Sequence, residues 1–144
     1  MAKTSAYSMI NVSATLDRRD VKGLWDGDDT IVVTQGSDVG EGLVGADGSS
    51  IFSISADQSA EISIKLQHTS PTHRFLSQKL KQTRNRGANV NAFSFSVKDR
   101  VSGEGGTADK CYIRKAPDDS KGKMATVREW LIWTGDWNPE IPNG

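Results

Sequence analysis

The clearest pattern along the chain is a strict alternation of apolar and polar residues at 60–68. Successive side chains of a strand point to opposite faces of a sheet, so Ile62, Ile64 and Leu66 share one face and the polar residues between them share the other. Residues 91–98 repeat the pattern. There the apolar positions are Phe93, Phe95 and Val97. Both segments are predicted to be strands with one buried face and one wet face.

Five further segments have the β-branched or alternating composition of strands. They are 7–16, 30–35, 51–56, 110–116 and 125–134. The last is apolar on both faces at 130–133, which predicts a central strand or one covered on both sides. The alternative is that Trp133 and Trp137 are exposed for a partner. The chain is therefore predicted to be mainly β, with about seven strands in an antiparallel arrangement.

One segment, 71–84, breaks the β pattern and predicts a helix. Ser70 can cap free backbone amides and Pro71 suits the first helical position. Phe75, Leu76 and Leu80 then fall at helical spacing, and Asn85-Arg86-Gly87 is typical of a helix end. Lys79, Lys81 and Gln82 are predicted on the solvent side. A solvated face is the simplest interpretation of the four helical cations, which are Arg74, Lys79, Lys81 and Arg84.

Glycine-rich loops separate the predicted strands. They cover 17–29, 36–50, 101–109 and 117–123. Loops of this length in a small domain are usually functional or disordered, so we expect them to provide surfaces that order on assembly.

Composition describes one soluble domain spanning 1–144. The chain has 18 basic and 18 acidic residues and a formal net charge of zero, which argues against a protein that binds nucleic-acid backbones through uncompensated cations. No apolar run is long enough to cross a membrane and no secretion signal is visible, so we expect synthesis in a cytoplasm and no membrane partner. A net charge near zero favours association.

The familiar chemical motifs are weak here. Residues 40–45 match G-x-G-x-x-G, but the following residues predict a strand rather than the helix that dinucleotide binding requires, so a flexible loop is expected. Asp26, Asp28 and Asp29 lack the ligand spacing of an EF-hand and are interpreted as a turn. No cofactor is predicted.

The remaining metal-capable side chains are His68, His73, Cys111 and Glu61. Their spacing does not match a zinc motif, and no signature of a nucleophilic enzyme is present, so enzymatic activity has no support. Arg84 and Arg86 leave a nucleic-acid-binding module as an alternative. That alternative would need aromatic and cationic side chains interleaved on one wet sheet face, where the sequence instead predicts Ser, Glu, Lys and Gln.

An ordered series of local patterns carries a resemblance to a known family. A Gly45-Ala-Asp-Gly turn precedes a short strand that ends at Ala56-Asp57-Gln58-Ser59; an alternating strand follows, and then Thr69-Ser70-Pro71 opens the helix. With the opening strand at 7–16, this order resembles the tail tube proteins of contractile-tailed bacteriophages. The loop 17–29 and the Trp-rich segment after Trp133 are atypical of them.

The resemblance implies a β-sandwich or barrel-like subunit with one flanking helix. It implies six copies in a ring, rings stacked into a tube that conducts double-stranded DNA, and an acidic lumen. The implied partners are further copies of the chain, the tail sheath, baseplate and tail-terminator proteins, and the tape-measure protein, in a virion tail assembled in the host cytoplasm. Related tubes of secretion and bacteriocin systems are the alternative.

Charge is unevenly distributed in a way that suits assembly. Residues 23–64 contain eight carboxylates and no Lys or Arg, whereas 65–100 are strongly basic. Opposed surfaces on one subunit can meet head to tail, which closes rings or propagates filaments. The loop 36–50 is the expected stacking arm. The interface candidates are Asp38, Glu41, Leu43, Val44, Asp47, Arg74, Lys79, Lys81, Arg84 and Arg86.

Glu61 and Ser63, on the wet face of the strand at 60–68, are the candidates for the lumen wall. Carboxylates there would keep passing phosphates at a distance. Lys65 on the same face weakens this assignment.

Overall fold

The structure, a computed structural model, describes residues 8–9, 12–27, 29–86 and 92–142, with the side chain of residue 86 left out. These residues form ten strands and one helix, α1 (Pro71–Arg86). The strands are β1 (Val12–Leu16), β2 (Arg19–Asp20), β3 (Ile31–Gln35), β4 (Gly40–Val44), β5 (Ser50–Ile54), β6 (Ala60–Gln67), β7 (Phe93–Asp99), β8 (Gly105–Lys115), β9 (Val127–Thr134) and β10 (Asn138–Glu140).

Eight of these strands make one antiparallel sheet in the order β2-β1-β7-β8-β9-β6-β3, with β10 paired to the first half of β8. The long β8 is shared, because its first half lies between β7 and β10 while its second half pairs with β9. The other two strands, β4 and β5, pair only with each other. The predicted mainly β, antiparallel, sandwich-like subunit with one helix is confirmed.

The sheet encloses a single core to which most of its strands contribute. Strand β6 alternates as predicted, with Ile62, Ile64 and Leu66 fully buried. Phe93 and Phe95 of β7 are buried as well, and the Phe95 ring stacks on Trp137 at 6.4 Å between centroids. The core therefore lies on the face predicted from the alternation.

Helix α1 begins as its sequence predicts and ends two residues later. The Ser70 hydroxyl accepts hydrogen bonds from the Thr72 and His73 amides at 3.1 and 3.4 Å and donates to the Lys22 carbonyl. Leu76 is fully buried, and Phe75 and Leu80 pack against the core. The predicted stop includes Gly87, which lies outside the described residues.

Three expectations about strands and loops were wrong. Strand β4 lies within the predicted loop 36–50, β2 within 17–29, and β8 starts inside 101–109. Glycine lowers strand propensity and concealed β4 and the start of β8 in the sequence. Strand β2 contains no glycine and is only two residues long, too short to form a pattern. At Gly106 the missing side chain has a use, because a Cβ atom would lie 2.4 Å from the Trp137 ring. The predicted start of the first strand, Tyr7 to Asn11, includes residues outside the described part.

Strand β9 is central, lying between β6 and β8, but it is not covered on both sides. Trp130 is buried, whereas Trp133 is 43% exposed on the other face. Trp137 is buried. The alternative that both Trp133 and Trp137 are exposed is therefore correct for Trp133 only.

Candidate assembly surfaces

Strands β4 and β5 form an isolated hairpin, which we call the arm. Its register pairs Leu43 with Ile51 and Gly42 with Phe52. At the tip, the Gly45 amide donates to the Ser49 carbonyl at 2.7 Å, and Gly48 adopts a φ of 87° that favours glycine. Asp47 accepts from the Ser49 amide and hydroxyl at 3.0 and 2.6 Å, and these bonds lower the pKa of its carboxyl. The predicted flexible loop at 40–45 is thus a strand and a turn with defined hydrogen bonds.

The base of the arm is tied to the sheet. The Gly36 amide donates to the Ser59 carbonyl at 2.8 Å, and the Ser59 amide donates to Asp57 at 2.9 Å. This backbone contact, with help from the Ser59 and Ser37 hydroxyls, lowers the pKa of Asp57. The arm therefore leaves the sheet from a fixed anchor rather than from a loose loop.

Apolar side chains cover the arm and lie open to solvent. Their exposures are Val39 73%, Leu43 68%, Val44 71%, Ile51 66%, Phe52 62% and Ile54 77%. Directly opposed residues of an antiparallel pair share a face, so Leu43 and Ile51 lie on one face of the arm and Phe52 with Ile54 on the other. Val44 shares the face of Phe52 and Ile54. Exposed apolar surface of this extent is typical of interaction sites.

The sequence identified only part of this surface. Leu43 and Val44 were interface candidates, as were Asp38, Glu41 and Asp47, and the structure places all five on or beside the arm. Val39, Ile51, Phe52 and Ile54 were missed. Residues 51–56 were predicted as a strand, but their composition does not show whether a strand is buried within the subunit or between subunits.

The basic candidates lie on α1. Arg74, Lys81 and Arg84 are exposed, and the helix contains no carboxylate. Lys79 differs, because its side chain is only 18% exposed; Nζ lies 3.7 Å from Asp17 Oδ2 and 5.7 Å from the centre of the Phe75 ring. Its predicted solvent-facing position is wrong. Arg86 is the last residue of α1, and its side chain lies outside the described part.

The candidates for the lumen wall lie on the face of the sheet that points away from the core. Glu61 and Ser63 are half-buried on β6, opposite Trp133 and Leu131 of β9. Glu61 Oε1 accepts from Arg114 Nη1 at 2.9 Å, so an arginine balances its charge. The exposed Trp133 also means that this wet face is not free of aromatic side chains, contrary to the sequence-based expectation.

A buried arginine, Arg128, fixes the loop at 117–123. Arg128 is 6% exposed, and its guanidinium donates to the Thr126 hydroxyl at 2.7 Å and to the Ser120 carbonyl at 3.0 Å. It also lies 3.4 Å from Asp119 Oδ1. This loop is held in place within the subunit.

The potential catalytic and metal-binding side chains are engaged elsewhere. His73 Nδ1 accepts from Trp130 Nε1 at 2.9 Å, and burial, with the nearby Arg128 and His68, lowers the pKa of His73. Burial raises the pKa of the Cys111 thiol to about 11. Within the described ranges, no group of three or more His, Cys, Asp or Glu side chains could hold a metal ion. Asp28 of the predicted acidic turn lies outside those ranges.

A groove of about 1010 Å³ lies between β3 and the strands β1, β7 and β10. Its apolar lining includes Val12, Ile31, Val33, Val97 and Trp137. Among the residues that the structure describes, five carboxylates also line the groove, and no Lys, Arg or His does. They are Asp26, Asp29, Asp99, Glu104 and Glu140. No pattern in the sequence indicated this groove.

Comparison with known proteins identifies the family. The model of the bacteriophage PhiTE tail tube protein matches residues 4–140. The chain belongs to this tail tube family. The resemblance inferred from the sequence is thereby confirmed, and the protein has a structural tail tube role.

Two solved structures share the fold of this tail tube family member. The tube-terminating cap of the anti-feeding prophage AFP superposes with a TM-score of 0.62 at 9% identity, covering 96% of this chain and 93% of that one. The sheath/tube terminator of the extracellular contractile injection system PVC, in its extended state, gives a TM-score of 0.61 at 10% identity, covering 97% and 100%. None of the curated proteins compared with the chain matches it.

The described part of this tail tube protein contains no helix that is both long and apolar enough to span a membrane.

Proposed function

We propose that the protein forms hexameric rings that stack into the inner tail tube, through which double-stranded DNA passes during ejection, and that it catalyses no reaction. The observation that carries the proposal is the arm, a fixed hairpin whose two faces are both apolar and exposed. Membership of the tail tube family supports a self-assembling role. Six copies per ring is the number that the resemblance to contractile phage tubes implies.

The arm suits stacking because both of its faces carry apolar side chains, as the faces of a buried strand do. A strand that is apolar on one face can lie on one surface, whereas a strand that is apolar on both faces is normally covered on both. Leu43 and Ile51 provide one apolar face, and Val44, Phe52 and Ile54 the other. The arm is therefore inserted between two surfaces of neighbouring copies, where water is excluded from both faces.

The backbone of the arm supports the same role. The Phe52 ring lies across Gly40, where an added Cβ atom would come within 2.7 Å of the ring and 2.4 Å of the Ser53 carbonyl. This packing fixes the hairpin without support from the main sheet, so it is prepared for docking before a partner arrives.

The face of β6 that points away from the core is proposed to line the lumen, with Glu61 and Ser63 as its half-buried polar positions. The Glu61–Arg114 contact makes this wall close to neutral rather than strongly acidic at that point. A neutral wall with few free cations still offers passing phosphates little to bind. A tube reconstruction that placed Glu61 on the outside would remove this part of the proposal.

The proposed partners are further copies of the chain, the sheath, baseplate and tail-terminator proteins, and the tape-measure protein and DNA within the lumen. Assembly is proposed to take place in the host cytoplasm. The shared fold with terminators of the AFP and PVC injection systems favours, as a second candidate, a tube of a related injection system rather than of a phage tail.

Deletion of the arm tests the proposal. Removing residues 38–48 should leave a soluble, folded monomer that forms no tubes, because the base contact between Gly36 and Ser59 remains. Electron microscopy of concentrated protein measures the outcome, with thermal denaturation as the check on folding. Normal tubes from this deletion would refute the role of the arm.

A further inference from the structure

The acidic groove is assembled from parts of the chain that are far apart in sequence. Asp26 and Asp29 precede β3, Asp99 ends β7, Glu104 precedes β8, and Glu140 ends β10. Between the described side chains there are four ion pairs, which join Lys79–Asp17, Arg114–Glu61, Lys121–Asp119 and Arg128–Asp119. None of them involves a carboxylate of the groove. Among the described residues, the charged side chains of the groove are therefore all negative, and they lie beside apolar ones.

The exposed face of α1 carries the opposite charge. With 100° between successive helical residues, Arg74, Gln78 and Lys81 lie within about 60° of one another, and Arg84 lies about 60° further round. All four side chains are exposed, and the helix carries no carboxylate that could neutralise them. A convex basic surface and a concave acidic surface are therefore present on the same subunit.

The two surfaces do not meet within one subunit. Val12, at the start of β1, lines the groove, whereas Asp17, just beyond the end of β1, pairs with Lys79 of α1. A five-residue strand separates these points by about 13–16 Å. Neither Arg74, Lys81 nor Arg84 lines the groove. Contact between the two surfaces would have to join different copies of the chain.

The arm fits the groove less well than the basic face of α1 does, although the arm is apolar. The arm contains Glu41 and Asp47, and Asp38 lies beside it. Residues 38–54 include no Lys or Arg. Placing these carboxylates against five others would bring like charges together, which costs several kcal/mol in an interface. Charge complementarity therefore favours the basic face of α1 over the arm as the occupant of the groove.

We propose that the acidic groove of one subunit binds the exposed basic face of α1, at Lys81 and Arg84, from a second copy. The contact joins two different surfaces, so it is head-to-tail and can close into a ring. It provides a lateral contact, distinct from the stacking contact of the arm. The proposal rests on the proposed self-assembly. It replaces the simpler pairing of the acidic block 23–64 with the basic block 65–100, because four of the eight carboxylates in that acidic block lie on or beside the arm or pair with Arg114.

Paired charge reversals test the contact. The helix variant carries Lys81→Glu with Arg84→Glu, and the groove variant carries Glu104→Lys with Glu140→Lys; all four side chains are exposed, so folding should be preserved. Each variant alone should need a concentration on the order of tenfold or more above that of the unaltered protein to form rings. Analytical ultracentrifugation and electron microscopy measure the assembly.

A mixture of the two variants provides the decisive measurement. The acidic helix of the first fits the basic groove of the second, and the basic helix of the second fits the acidic groove of the first. Equimolar mixing should therefore restore rings in which the variants alternate, at a concentration close to that of the unaltered protein. A control with Lys110→Glu and Lys123→Glu, which has the same net charge as the helix variant, should not restore assembly of the groove variant.

The outcomes separate this contact from the proposed function. If the unaltered protein forms no rings or tubes, the proposed self-assembly is wrong. If the unaltered protein assembles but either charge-reversal variant assembles equally well, the groove does not bind α1. The same conclusion follows if the mixture of the two variants fails to restore assembly. Assembly that is unchanged in the helix variant, together with lost binding to duplex DNA, would instead assign α1 to nucleic acid and overturn the proposal.

Discussion

The two apolar faces of the arm predict a specific response to substitution. Leu43→Ser with Ile51→Ser removes the apolar side chains of one face, and Val44→Ser with Ile54→Ser removes two of the three on the other, leaving Phe52. These side chains are 66–77% exposed in the subunit, so each substitution should change the free energy of unfolding of the monomer by no more than about 0.5 kcal/mol. The substitutions should therefore weaken assembly without lowering the stability of the monomer.

The size of this weakening follows from the exposed fractions. Complete burial of a Leu, Ile or Val side chain stabilises by about 1.5–3 kcal/mol, and roughly two-thirds of each side chain remains to be buried, which gives about 1–2 kcal/mol per residue. Two residues on a face then contribute about 2–4 kcal/mol. Because about 1.4 kcal/mol is a factor of ten, the concentration for half-assembly should rise by about 30- to 700-fold for either face.

Pelleting assays across a concentration series measure this shift, with thermal denaturation confirming the fold. Met124→Ser is the matched control, since Met124 is 79% exposed but lies far from the arm in sequence. If only one face is sensitive, the arm lies on one surface and is not inserted between two. If neither face differs from the control, the arm does not stack subunits.

Three further predictions concern the subunit. Ser70→Ala should lower the free energy of unfolding in urea by about 1 kcal/mol, because the Thr72 amide loses its cap; no change would contradict the capping role. The pKa of His73 is below its usual value of 6.5, so the unfolded chain binds the proton first and stability should fall as pH decreases below about 6.5; His73→Asn should flatten that pH profile, and an unchanged profile would count against it. With a pKa of about 11, Cys111 should react with a disulfide reagent at pH 8 about 100-fold more slowly than in urea, and equal rates would contradict its burial.

Segments whose local signals agree with their environment were predictable from the sequence. Strand β6 alternates because one face packs in the core and the other is wet, so its period of two directly predicts its buried residues. The start of α1 was equally clear, because the cap at Ser70 depends on residues within one helical turn. Lys79 was assigned to solvent because helical spacing alone does not reveal Asp17 beside it.

The assembly surfaces were less predictable, since they depend on pairing and topology. Strand β4 contains Gly40, Glu41 and Gly42, which have weak strand propensity, and it is a strand because β5 pairs with it. An apolar strand such as 51–54 has the same composition whether a core or a neighbour covers it. The groove could not be predicted at all, because its five carboxylates come from four separate segments that only the folded sheet brings together.

Electron microscopy of the purified, concentrated protein shows whether the chain assembles by itself. We expect rings of six subunits and tubes made of stacked rings, formed without any partner or nucleic acid. A protein that remains monomeric at high concentration while binding single-stranded nucleic acid with a steep salt dependence would contradict this expectation.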